Sequence, residues 1–261
     1  MTDFPHTITV DREGENGRVA RLRFASEHPA NVFTLPMLEE FASQVVVIAG
    51  DPDVRVLVIE GRENMFSGGA DLQSILDMSP ETYLQYVETE YALFRAIEVL
   101  PILTVAVIRG GSCVGNAAEI ALACDFRIAV ESARIGWPEI HVGFVAPSQR
   151  LARFVGIGRA KDILFSGRLL KAPQAAALGL LTTVVPADEV EAAAVKLIEQ
   201  CASRAPVSVR VTKAALERAY SFPPENPGLE ISAAAESYAT QDCREGATAI
   251  LERRAPVFVG R

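Results

Sequence analysis

Alternating apolar and polar positions from Ile8 to Val10 and from Val19 to Phe24 predict two strands, with "REGENG" between them as a hairpin turn. Leu35 to Ala49 then reads as an amphipathic helix. The β-branched run "VRVLVIEG", Val54 to Gly61, reads as a third strand bounded by "GDPD" and Gly61. Small residues in "RENMFSGGADL" lead into a predicted helix, and the spacing of Tyr83, Val87, Tyr91, Phe94, Ile97 and Leu100 predicts a longer one. The stretch "VAVIRGGSCVGNAAEIALACDFRIA" follows as buried strand, flexible loop, short Ala-rich helix and a second strand from Asp125 to Val130, before the turn "GWPEI". Past Pro147 the pattern shifts to short helices, one strand in "LTTVVP", and helices at Val190 to Ser203, Val207 to Ala219 and on either side of Thr240 to Asp242.

Strand and helix alternate through the first two thirds, which predicts an α/β fold with largely parallel pairing. The Pro-rich "SFPPENPG" is expected to be a hinge, and the chain divides into a core over 1–200 and a helical region over 201–261. With 261 residues, a sizeable core is affordable on length alone. A net charge of −8 argues against a broad phosphate-neutralising face, so nucleic acid is not the expected partner. No leader pattern and no membrane-length apolar run occur, so a cytoplasmic protein is expected. Cys113, Cys124, Cys201 and Cys243 lack metal or redox spacing and read as reduced packing residues, with Cys113 nearest the candidate site.

Two carboxylates twenty residues apart, Glu119 and Glu139, are the candidate working pair. Glu119 falls about one turn into an otherwise apolar helix. Burial there raises a carboxyl pKa unless something pairs with the charge; the alternative is a solvated or capping residue. The loop before it leaves backbone N–H groups at a helix N-terminus, where developing negative charge is stabilised. In "FSGGAD" (Phe66 to Asp71) the small residues form either a backbone nest for an oxyanion or a tight turn with Asp71 as N-cap. Trp137 either walls a pocket beside Glu139 or packs in the core. His6, His28 and His141 are scattered, so no catalytic metal is expected, and "VGIGRAK" and "GGSCV" fail as dinucleotide and nucleophile-elbow motifs.

Taken in order, "FSGGADL", "AEIALACDFRIAVESARIGWPEIHVG", "QRLARFVGIGRAKDILFSGRLL", "AALGLLTTVVP" and "TQDCREGATAILERRAPVFVG" resemble the crotonase, or enoyl-CoA hydratase/isomerase, family across nearly the whole chain. The resemblance implies a core of repeated ββα turns, a superhelix, followed by a C-terminal helical trimerisation region in a homotrimer or homohexamer. It implies an acyl-CoA thioester substrate whose carbonyl oxygen lies between the backbone N–H groups of Ala70 and Asn116. Gly68, Gly69, Asp71, Leu72, Gly115 and Trp137 would border that substrate. Coenzyme A is part of the substrate, and no separate cofactor or metal is implied.

By the same resemblance, Glu119 would help to activate water and Glu139 would exchange a proton with the α-carbon. The implied reaction is syn addition of water to a 2-enoyl-CoA. The alternatives are a double-bond isomerase and a specialised lyase or decarboxylase. This chain departs from the family pattern in four places: Asn116 replaces the usual oxyanion glycine, one extra residue stands near Cys113, the loop "FVAPSQR" is shortened, and Gln73 stands where many relatives carry a lysine near the CoA.

Overall fold

The computed structural model describes residues 5–147, 149–220 and 227–259. The N-terminal hairpin pairs β1 (His6–Glu13) antiparallel with β2 (Val19–Ser26). Its connection is a 3-10 turn at Glu15–Gly17, closed by Asn16 at positive φ. Helix α1 (Leu35–Ala49) starts at Thr34 with proline in its first turn, where a missing N–H costs nothing, and buries Leu38, Phe41, Val45 and Ile48 on one stripe. Strand β3 (Val56–Glu60) is buried on both faces, as its unbroken apolar run requires.

Next come α2 (Leu72–Asp77), α3 (Pro80–Glu98) and β4 (Leu103–Ile108). The supposedly flexible loop after β4 contains a further strand, β5 (Ser112–Val114), because its backbone pairs with a second sheet. Then follow α4 (Asn116–Ala123), β6 (Phe126–Val130) and β7 (Arg134–Gly136). The "GWPEI" segment leaves β7 and winds into a 3-10 turn at Glu139–Val142. Helices α5 (Gln149–Val155) and α6 (Ile157–Ser166) are split at Gly156, and β8 (Leu170–Lys171), α7 (Ala172–Ala177) and β9 (Thr183–Val185) complete the layered part. Four helices close the chain: α8 (Val190–Ala202), α9 (Pro206–Tyr220), α10 (Pro227–Tyr238) and α11 (Gln241–Leu251). Most of "SFPPENPG", expected as a hinge, lies outside the described residues.

The larger sheet has the order β1-β2-β3-β4-β6-β9, parallel from β2 onward, and the smaller has the order β5-β7-β8. Parallel neighbours need crossovers, and the helices and turns of the crossovers carry the functional segments. Two isolated bridges, Phe33 with Ala70 and Ser67 with Cys113, stitch "FSGGAD" between the loop after β2 and strand β5. In the helical region, α10 packs against α3, and Tyr238 stacks on Tyr83 with ring centroids 3.9 Å apart. The Tyr238 hydroxyl donates to the carbonyls of Ile75 and Met78, which ties α10 to the end of α2.

Candidate active site

The "FSGGAD" segment is held by backbone bonds on both sides. Gly68 N–H donates to Ala30 O at 2.7 Å, Ser67 N–H to Ser112 O at 2.8 Å, and Val114 N–H to Ser67 O at 3.1 Å. Gly69 sits at φ +95°, and a Cβ there would stand 3.0 Å from Val114 O, so glycine is required by both dihedral and space. At the bridge to Phe33, the bonds are made by Gly69 O and Asp71 N–H. In parallel pairing the intervening residue, Ala70, therefore turns its own N–H away from Phe33. The Asp71 side chain accepts from Gln73 N–H at 3.0 Å and from Ser74 Oγ, so it is the N-cap of α2. Gln73 itself reaches Asp77.

Asn116 opens α4, and the first N–H groups of a helix have no acceptor within it. Gly115, at φ +59°, takes the left-handed turn into the helix, and Asn116 is not at positive φ. The substitution of Asn for glycine thus costs no backbone strain. Its side chain is buried and donates through Nδ2 to Tyr86 Oη at 2.9 Å and to Glu90 Oε1 at 2.7 Å.

A cavity of about 420 Å³ opens where these segments meet. Gly68, Gly69, Ala70, Asp71, Leu72, Gly115 and Asn116 all border it, as does Glu139 from the turn after β7. His28 and His141 are at the cavity too, while α3 contributes Tyr83, Tyr86, Val87, Glu90 and Tyr91. Glu139 retains some exposure as a residue, yet its Oε2 is buried without a hydrogen-bond partner among the described residues. A Cβ on Gly115 would stand 3.1 Å from Glu139 Oε1, which places this carboxyl directly beside the start of α4. Burial, followed by the charges of Glu119 and Glu90, pushes its pKa up to about 8 against an opposing backbone hydrogen bond.

Glu119 and Trp137 are not among the residues that line the cavity. Trp137 is fully buried and donates Nε1–H to Glu119 Oε1 at 2.8 Å, so core packing, not an acyl wall, is its place. Arg150 of α5 donates Nη1–H to Glu119 Oε2 at 2.7 Å and Nη2–H to Glu98 at 3.3 Å. Glu119 is therefore a fully buried carboxylate paired with a buried guanidinium. Cys113 is buried, with Sγ against Ala117 O, and burial raises its pKa well above the usual thiol value.

The sequence pattern did not single out Glu90. It falls on the stripe of α3 that carries Tyr83, Val87, Phe94 and Ile97, and a carboxylate on such an apolar stripe was the available signal. Burial pushes its pKa up to about 7, against the Asn116 hydrogen bond and the nearby Tyr86 hydroxyl, which favour the charged form.

Residues 14–261 match the sequence profile of the family described as Enoyl-CoA hydratase/isomerase. The chain belongs to the enoyl-CoA hydratase/isomerase family. A short-chain-enoyl-CoA hydratase of Clostridium acetobutylicum is 30% identical over 254 residues, covering 95% of this chain and 96% of that one. A crotonyl-CoA hydratase of Syntrophomonas wolfei is 31% identical over 243 residues, covering 88% and 90% of the two chains. The crystal structure of an enoyl-CoA hydratase from Mycobacterium avium subsp. paratuberculosis superposes with a TM-score of 0.85 at 30% identity, covering 97% of this chain and 98% of that one. The mixed α/β architecture is thus that of the crotonase fold, and this family member is an enzyme of acyl-CoA chemistry. Among the described residues no helix is long and apolar enough to cross a membrane.

Proposed function

We propose that this enzyme adds water syn across the double bond of a 2-enoyl-CoA. The observation that supports the reading is the Glu139 carboxyl, with one buried oxygen unpartnered among the described residues, set beside Gly115 at the start of α4 and bordering one cavity with Ala70 and Asn116. Those two donors would receive the thioester oxygen as negative charge develops on it, each contributing roughly 3 kcal/mol in the transition state. Glu139, protonated near neutral pH because burial raises its pKa to about 8, would deliver the proton to the α-carbon. Gly68, Gly69, Asp71 and Leu72 would border the thioester, with coenzyme A as part of the substrate.

A homotrimer or homohexamer formed through the C-terminal helices belongs to the same reading. The family's second glutamate, Glu119, faces Arg150 and Trp137, not the cavity. That placement favours one alternative, a double-bond isomerase in which Glu139 alone moves the proton. The test follows loss of the conjugated enoyl-thioester absorbance with crotonyl-CoA and a longer 2-enoyl-CoA, using the parent and Glu139→Gln. Hydration by the parent that Glu139→Gln abolishes is expected. A folded parent that leaves 2-enoyl-CoA untouched but isomerises a 3-enoyl-CoA would establish the alternative.

A further inference from the structure

The cavity holds a second carboxylate that neither the family resemblance nor the motif reading assigns. Glu90 is buried on α3 and borders the same cavity as Glu139. Its hydrogen-bond donor is the neutral Asn116 amide, whose Nδ2 also reaches the Tyr86 hydroxyl. Tyr86 is itself fully enclosed, and burial together with the Glu90 charge keeps its phenol protonated. Asn116 Oδ1, also buried at the cavity, has no hydrogen-bond partner among the described residues. A polar guest with a proton to donate is therefore accommodated between Asn116, Glu90 and Glu139, and water is the smallest such guest.

We propose that Glu90 is the catalytic residue that orients and deprotonates the attacking water, with Tyr86 and the Asn116 side chain as its positioning residues. The proposal rests on the hydratase reading above. The water oxygen bonds to the β-carbon while its proton passes to the Glu90 carboxylate. The π electrons move through the α-carbon to the thioester oxygen, held by the Ala70 and Asn116 N–H groups. The enolate then takes the Glu139 proton at the α-carbon. One proton passed back from Glu90 to Glu139 restores both groups, so the net change is addition of one water. The titratable groups facing Glu90 are Tyr83, Tyr86, Glu119 and Glu139. Burial pushes both carboxyls up, Glu90 to about 7 and Glu139 to about 8, and the like charges of the pair favour a state in which the two share one proton.

The test uses the full chain as parent, Glu90→Gln, Glu119→Gln and Glu139→Gln, with two readouts. One is hydration of crotonyl-CoA. The other is exchange of the α-protons of butyryl-CoA with deuterated water, which needs Glu139 and the N–H donors but no attacking water. Glu90→Gln is expected to lose about 10²-fold or more in hydration while its exchange stays close to the parent's. Hydration by Glu90→Gln at the parental rate overturns the assignment, and so does parallel loss of hydration and exchange. A parent that exchanges α-protons yet hydrates neither crotonyl-CoA nor a longer 2-enoyl-CoA overturns the hydratase reading itself, and the water role of Glu90 with it. Tyr86→Phe serves if Glu90→Gln does not fold: loss of the hydroxyl, which favours the charged form of Glu90, is expected to move the acidic limb of the pH–rate profile upward, and an unmoved limb overturns the proposal.

Discussion

Two carboxylates meet at α4, Glu119 within it and Glu139 beside its start, and they differ in what faces them. Glu119 meets a guanidinium and an indole N–H; Glu139 meets an apolar cavity and an oxygen's worth of unfilled hydrogen bonding. A cation beside a buried carboxylate favours its charged form, and removing that cation leaves the charge uncompensated. One without a cation is driven toward the neutral acid and becomes able to give a proton near pH 7. The same residue type in the same layer thus holds structure on one side of the helix and is poised for proton transfer on the other.

The sharpest way to break this contrast is to neutralise each acid in turn. Glu139→Gln should lower kcat by about 10³-fold, equivalent to roughly 4 kcal/mol of transition-state stabilisation, without a fall in thermal stability. Kinetics with a 2-enoyl-CoA alongside thermal melts would show the split. Arg150→Met should do the reverse at the other site. It strands Glu119 and removes a partner of Glu98, whose carboxyl is held low by Arg150 despite burial, so a loss of roughly 3–5 kcal/mol is expected in denaturant unfolding. Trp137→Phe keeps most of the buried ring but leaves Glu119 Oε1 short of a donor, at about 1–3 kcal/mol by the same measurement.

The pH dependence separates the two acids further. Glu139 titrates near 8 and Glu90 near 7 in the folded chain, against 4.5 as the ordinary value. Between those values the folded state holds protons that the unfolded chain has released. The stabilisation from these two groups is therefore complete below about 4.5 and is lost as pH rises through 7 and 8. The slope is at most roughly 1.4 kcal/mol per pH unit for each group. Glu139→Gln should flatten its share of that slope in unfolding curves measured across this range, and an unchanged slope would count against the burial of its carboxyl. The smallest expected effect is that of Tyr86→Phe, a rise of under about one unit in the acidic limb of activity, since a neutral hydroxyl that favours the Glu90 charge is removed.

Much of the scaffold was legible along the chain. The buried run of β3 and the stripe of α1 announce themselves because burial imposes a period on apolar residues. The family resemblance also put Ala70, Asn116 and Glu139 at one site, and all three border the cavity. The strand β5 was hidden inside a glycine-rich loop because its three residues gain strand structure only from a partner distant in the chain, β7.

What sequence order could not decide is which buried acid meets which neighbour. Arg150 lies thirty-one residues from Glu119, and Glu90 lies twenty-six from Asn116, so both pairings depend on how α5 and α3 pack against α4. The sequence by itself determined where the chain can bury apolar residues, where it must turn, and which acids are present. Only the tertiary structure decided that one acid is matched with a cation while two others share a cavity with neutral donors, because a carboxyl's charge depends on the atoms within a few ångströms of it and those come from remote parts of the chain.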